Sequence, residues 1–374
     1  MREGATSPLG IVLTGGGARG AYQAGVLRGL HELCAELDAS TCFDVLVGTS
    51  AGAINAAFLA AHADDLAHAT RRLVEFWSEL RAEQVYRTDV LTLGKIGVRW
   101  LAELSLDGLI EEKHANALLD TRPLRALLEG IPFARIEDHT AAGRLRGLAV
   151  TAADLCCGES VTYFAGPAEP WRRNRRRSEP ARIALEHIYA SASIPVLFPP
   201  VAHGGHYLSD GSVRNYAPVS PAIKLGARRV VVVGVRSPTA RGRRLTERPP
   251  SIARIAGTIL DAVLLDAVDL DLERIERLNQ AAHACRGGPS PWERVDAVLL
   301  RPSRDVAEMA LEEFSSLPRT LRHLIGGLGS PNEAAELISY LLFEPPFAHR
   351  LIEMGRRDVR AQAHRLVPLL LGDG

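Results

Sequence analysis

Gly48-Thr49-Ser50-Ala51-Gly52 sets a serine between two glycines. A short apolar run, Phe43–Val47, leads into it, and an alanine-rich segment, Ala53 to Ala60, leads away. That order reads as strand, sharp turn, helix. A turn this tight lifts the Ser50 hydroxyl clear of both flanking elements, as a serine nucleophile requires, and Gly48 and Gly52 leave room for it. Attack on a carbonyl carbon needs two further things: donors for the developing oxyanion and a base for the hydroxyl proton. An ordinary turn feeding a helix can carry the same pentapeptide, so the rest of the chain must decide.

Donors come from Gly15-Gly16-Gly17-Ala18-Arg19-Gly20. This loop follows the apolar strand candidate Leu9–Thr14 and precedes helical periodicity in Tyr22, Val26, Leu27, Leu30 and Leu33. Backbone N–H groups in such a loop, at a helix N-terminus, point at negative charge. Gly15, Gly17 and Gly20 also fit the dinucleotide fingerprint, which wants an acidic residue closing the second strand. Here the second strand closes on Gly48-Thr49-Ser50, and Asp38 falls ahead of it. The loop therefore reads as an oxyanion receptor.

The base is less obvious. In an ordinary α/β-hydrolase the nucleophile is followed by an acid and then a histidine. His323, His349 and His364 lie downstream but in helical sequence, and His203 and His206 precede the nearest acid. That acid is Asp210, at the end of the strand candidate His206–Asp210, with Gly211 behind it to permit a tight turn. Asp-Gly is also a common turn marker. A pair made of Ser50 and Asp210 needs no histidine.

These residues need a scaffold, and 374 residues are enough to bury a sizeable core. Lys plus Arg and Asp plus Glu stand at 44 each, so no global charge argues for a nucleic-acid partner. Five cysteines without C-x-x-C spacing suit neither a disulfide framework nor a zinc site; adjacent Cys156 and Cys157 read as packing residues. No metal and no cofactor is expected. The N-terminus has no apolar signal core and no run is long enough to span a membrane, so the expectation is a cytoplasmic protein. Residues 62–145 read mainly as helices, with Leu66–Leu80 the clearest and the apolar Val85–Leu109 either core or an acyl-pocket lid. Arg144–Phe164 reads as a hairpin, Ala181–Ala192 as a helix, and Arg229–Val235 as a strand buried on both faces. Five arginines crowd Arg172–Arg177, either a solvated loop or a contact for anionic lipid headgroups at the membrane periphery. Beyond the polar stretch 237–250, a long helix from Ile252 to about Ala284, a strand at Val295–Leu300 and further helices complete the chain.

The loop Gly15–Gly20, the elbow Gly48–Gly52 and Asp210-Gly211, in this order, resemble the patatin-like phospholipase family. Thr151-Ala152-Ala153-Asp154-Leu155 and Ala190-Ser191-Ala192-Ser193-Ile194-Pro195 resemble it too, so the likeness runs from about Leu9 to Val235. Ser212 departs from the glycine or alanine the family often has there. The resemblance implies a three-layer α/β/α fold with a mostly parallel central sheet: a tail (1–8), a catalytic domain (9–236), a linker (237–250) and a helical C-terminal extension (251–374). It implies a lipid acyl hydrolase in which Ser50 attacks the ester and Asp210 takes its proton. Gly15, Gly16 and Gly17 would stabilise the oxyanion, with Arg19 shaping the loop. Phospholipid or another lipid ester would be the substrate. An acyltransferase, a non-catalytic lipid-binding module and a nucleotide-binding protein are the competing readings. A free aspartate, with a pKa of about 3.9, is a weak base, so Asp210 is expected partly buried and within hydrogen-bond reach of Ser50.

Overall fold

The computed structural model describes residues 7–38, 43–89, 116–238, 249–265, 267–284 and 293–372. Among the described residues ten strands form one sheet: β1 (Leu9–Leu13), β2 (Val45–Thr49), β3 (Gly147–Asp154), β4 (Glu159–Ala165), β5 (Arg172–Arg173), β6 (Arg176–Pro180), β7 (Val201–His203), β8 (His206–Asp210), β9 (Arg229–Val233) and β10 (Asp296–Leu300). The main path runs β10-β9-β1-β2-β3-β4-β6-β5. Its first five strands are parallel, with Ile11 opposite both Leu46 and Val231. β4 and β8 join β3 antiparallel.

β1, β2 and β9 are buried along their whole length, which is why their sequences read as continuous apolar runs. Ile11, Leu13, Leu46 and Val231 pack on one face beneath α1 (Gly20–Glu36), α2 (Ala51–Ala61) and α3 (Leu66–Glu79). Val12, Val45, Val47, Val230 and Val232 pack on the other, against Ala222, Val268 and Ile275. The result is a mixed α/β fold with a mostly parallel sheet between helical layers. From the C-terminal part, β10 extends the sheet beyond β9, and the helix Pro345–Ala361 packs along α1, where Tyr22 donates to Asp358 at 3.0 Å.

Several sequence expectations shift. The helix expected over Ala181–Ala192 forms only over Leu185–Ser191, because Arg176–Pro180 is drawn into the sheet beside β4. The stretch expected as a helix from Ile252 to about Ala284 is helical over Ile252–Leu265 and Ala267–Ala284, and residue 266 between them lies outside the described residues. Cys156 and Cys157 are exposed at the β3–β4 turn, not packed. Arg172–Arg177 forms short strands rather than a plain loop, and Arg177 lies between Asp154, Glu159 and Glu179. The Val85–Leu109 stretch beyond Asp89 and most of the expected linker lie outside the described residues.

Candidate active site

The register of β3 brings Ser50 and Asp210 together. β4 occupies one edge of β3 from Leu148 to Asp154, so β2 and β8 share the other. β2 pairs there up to Thr49 opposite Thr151, and β8 approaches from the opposite direction until Asp210 lies opposite Ala152. The ends of the two strands, 160 residues apart in sequence, thus meet at adjacent positions. Neither Ser50 nor Asp210 can be moved without slipping a buried strand.

Ser50 takes φ 57 and ψ −127, backbone a non-glycine residue adopts at a cost of about 1–3 kcal/mol. The fold holds it there. The Ser50 N–H donates to Ser191 Oγ at 2.9 Å, and that hydroxyl donates to the Thr151 carbonyl at 2.6 Å. The Ser50 amide is therefore spent on structure and is not free to donate to a ligand. Behind the elbow runs a chain of buried, paired amides. Gln23 donates to the Thr14 carbonyl at 2.8 Å, Asn55 to Gln23 at 2.9 Å, and the Trp77 indole N–H to Asn55 at 2.7 Å. This chain ties the glycine loop, α2 and α3 into one block.

Among the described residues, the Gly15, Gly16 and Gly17 N–H groups donate to nothing. Gly15 lies so close that a Cβ there would meet Ser212 Oγ and, at 3.0 Å, Ser50 Cβ. Gly17, at φ 56, lines the same cavity as Ser50. Arg19, expected to shape this loop, has its guanidinium buried and bonded to Glu336 and Ser339 from the C-terminal part of the chain. Gly20, Gly48, Gly52 and Gly211 serve the backbone: Gly20 opens α1, and the other three allow close main-chain approaches around the elbow and the Asp210 turn.

Asp210 is wholly buried, more than the partial burial expected. Oδ1 accepts the Ser212 N–H at 2.9 Å; Oδ2 has no hydrogen-bond partner. Burial pushes its pKa up to about 6, while the nearby Ser50 hydroxyl and the Ser212 bonds pull the other way. Ser50 is close enough to act on the carboxyl but does not complete a hydrogen bond with it. A carboxylate with a raised pKa and an empty lone pair beside a serine hydroxyl is arranged to receive a proton.

The cavity beside Ser50 is apolar, lined by Ile54, Phe76, Trp77, Leu124, Phe198 and Phe343 among others, and about 20 Å³ in volume. No histidine lines it among the described residues. An acyl chain entering here must displace side chains. Tyr86 and Trp77 contact the ring of Phe343, one of the lining residues.

Sequence reading missed Ser191, Gln23, Asn55 and Asn215, which donates to Thr49 at 3.1 Å. Only Ser191 stood inside a quoted motif. Asp154, Cys156 and His206 gather with ligand atoms within 4.8 Å of one another, although Cys156 and His206 are fifty residues apart. Asp154 is already engaged there by the Cys156 N–H, His206 Nδ1 at 2.8 Å and the Arg177 guanidinium at 3.0 Å. Arg177 puts a positive charge where a metal would sit, so the group reads as an ion-pair network. Arg172 likewise pairs with Glu159, which partly neutralises the arginine block. Among the described residues no helix is long and apolar enough to cross a membrane.

The chain is 26% identical over 332 residues to an uncharacterized NTE family protein of Mycobacterium bovis and equally to one of Mycobacterium tuberculosis. Each match covers 83% of this chain and 48% of the relative, so the chain spans about half the length of the curated relatives it matches. Among solved structures, VipD from Legionella pneumophila aligns over 93% of this chain and 67% of its own, at 15% identity and a TM-score of 0.35. Human GIVD cytosolic phospholipase A2, in complex with methyl gamma-linolenyl fluorophosphonate, aligns over 98% and 60%, at 14% identity and a TM-score of 0.36. The sequence profile of the Patatin-like phospholipase family matches residues 11–223, a span that takes in the glycine loop, Ser50 and Asp210. The chain belongs to the patatin-like phospholipase family.

Proposed function

We propose that this protein is a serine lipid acyl hydrolase that works through a Ser50–Asp210 pair. The observation that carries the reading is Asp210 Oδ2, buried and unpartnered next to a serine held on a strained elbow. Asp210 accepts the Ser50 proton as Ser50 Oγ adds to the ester carbonyl carbon. The carbonyl oxygen becomes an oxyanion facing the unspent N–H groups of Gly15–Gly17. Collapse of this tetrahedral species breaks the ester C–O bond. The alcohol, for a phospholipid the lysolipid, leaves with the proton Asp210 held. Water then adds to the acyl-Ser50 carbonyl, again giving its proton to Asp210. The fatty acid departs as Ser50 recovers a proton.

An apolar, narrow cavity beside Ser50 supports an aliphatic acyl chain as the group recognised. The arginine block, less the charge it spends on Glu159, Asp154 and Glu179, would lie at the lipid surface. The test is acyl release from phospholipid vesicles and from soluble nitrophenyl esters, for wild type, Ser50→Ala and Asp210→Asn. Loss of release in both variants is the expected result. Release that survives Asp210→Asn would overturn the pair, and product formed only with an added alcohol would make the protein a transferase.

A further inference from the structure

Arg19 carries a charge into a place where charge is costly. Its residue is 2% exposed, and an isolated guanidinium there would be strongly disfavoured. The helix Ala335–Leu341 meets that demand. Arg19 Nε and Nη2 donate to Ser339 Oγ at 3.0 and 2.7 Å, and Nη2 donates to Glu336 Oε2 at 2.6 Å. Asp261 Oδ1 lies 3.5 Å away, and the guanidinium stacks 4.2 Å from the centre of the Tyr340 ring. Burial alone would lower the Arg19 pKa, but Tyr340, Glu336 and Asp261 more than reverse it, so the group stays charged. Tyr340 is itself fixed by a 2.8 Å hydrogen bond from its hydroxyl to Asp261.

What this cluster holds is the glycine loop. The Arg19 N–H donates to the Gly16 carbonyl at 3.1 Å. In a trans peptide the C=O of one residue and the N–H of the next point in opposite directions. Pinning the Gly16 carbonyl toward Arg19 therefore aims the Gly17 N–H the other way. The Tyr340 main chain also lies against the loop: a Cβ on Gly17 would meet the Tyr340 carbonyl.

We propose that Glu336, Ser339 and Tyr340 are positioning residues for the oxyanion loop. They lock Arg19, and Arg19 fixes the direction of the Gly17 N–H. The inference rests on the hydrolase reading above and adds to it that the oxyanion site is completed by a helix more than three hundred residues downstream.

The test uses the full chain with Ser339→Ala, Glu336→Gln, Arg19→Lys and the Arg19→Lys/Ser339→Ala double variant. Two quantities are read: kcat and KM on a soluble nitrophenyl ester, and affinity for an alkyl trifluoromethyl ketone, whose serine adduct presents an oxyanion. Misaiming a catalytic donor costs roughly 10- to 100-fold in rate. Each single variant should lose kcat on that scale with KM little changed, and ketone affinity should fall in parallel. The double variant should be no worse than the worse single, because both break one clamp. Unchanged kcat, a loss residing in KM, or additive losses would overturn the proposal. Glu336 is partly exposed and glutamine keeps its shape, so Glu336→Gln carries the test if Ser339→Ala does not fold. Wild type that shows neither ester cleavage nor ketone capture dependent on Ser50 sinks the hydrolase reading itself. Active wild type with variants that match it sinks the clamp alone.

Discussion

Asp210→Asn should make the protein inactive and more stable at the same time. Raising a carboxyl from 3.8 to about 6 penalises its charged state by about 3 kcal/mol, at 1.36 kcal/mol per pH step. The sign follows from linkage. The folded value lies above the unfolded one, so the folded state binds the proton more tightly. Asp210 then contributes most favourably below the unfolded value, loses that contribution as pH rises from about 4 to 6, and carries the full penalty above 6. Asparagine removes the charge but keeps an acceptor for the Ser212 N–H, and it places its amide where Oδ2 now has no partner. Urea denaturation at pH 8 should therefore show the variant about 1–3 kcal/mol more stable than wild type, with the gap closing toward pH 4. Ester turnover should fall by about 10²- to 10⁴-fold, the range for loss of a general base. The wild-type rate should itself fall as pH drops through about 6, because only the carboxylate accepts the Ser50 proton. A variant less stable than wild type by the same amount at both pH values would refute the reasoning, since the buried charge would then carry no penalty.

Two other perturbations have expected outcomes. Gly17→Ala forces a side chain into φ 56 backbone and against the Tyr340 carbonyl. It should cost about 1–3 kcal/mol by urea denaturation and lower kcat more than it raises KM. Phe343→Ala removes a ring that lines the cavity beside Ser50 and should cost about 3–5 kcal/mol. In a nitrophenyl ester series it should shift kcat/KM from butyryl toward palmitoyl; an unchanged ratio would mean the chain enters elsewhere.

The parts of the site that could be read in the sequence are those whose geometry is local. A strand, a glycine loop and a helix are contiguous from Leu9 to Glu36, and the elbow is contiguous from Val45 to Ala61, so apolar runs and glycines mark them directly. Asp210 was legible as a strand end with a glycine behind it; its nearness to Ser50 was not, because that depends on two strands meeting along β3. Arg19 was assigned to the right loop, yet its partners Asp261, Glu336 and Ser339 leave no trace in local pattern. The same limit hid the Asp154–His206–Arg177 network and made Arg172–Arg177 look like a loop. Arg177 pairs with Val161 across the sheet and with Asp154 and Glu159, all of them distant in sequence.

Strand β10 bears on how the protein can be cut. A fragment ending at residue 250 would keep every recognisable motif and look complete by inspection of its sequence. It would also strip β10 from β9, leaving Val230–Val233, buried in the whole chain, as a bare, uncharged terminal strand of the sheet. Such an edge recruits other chains, and the expected product is an insoluble aggregate rather than a small enzyme. Residues 1–250, which bear every motif, thus depend for their solubility on a shorter part that carries none.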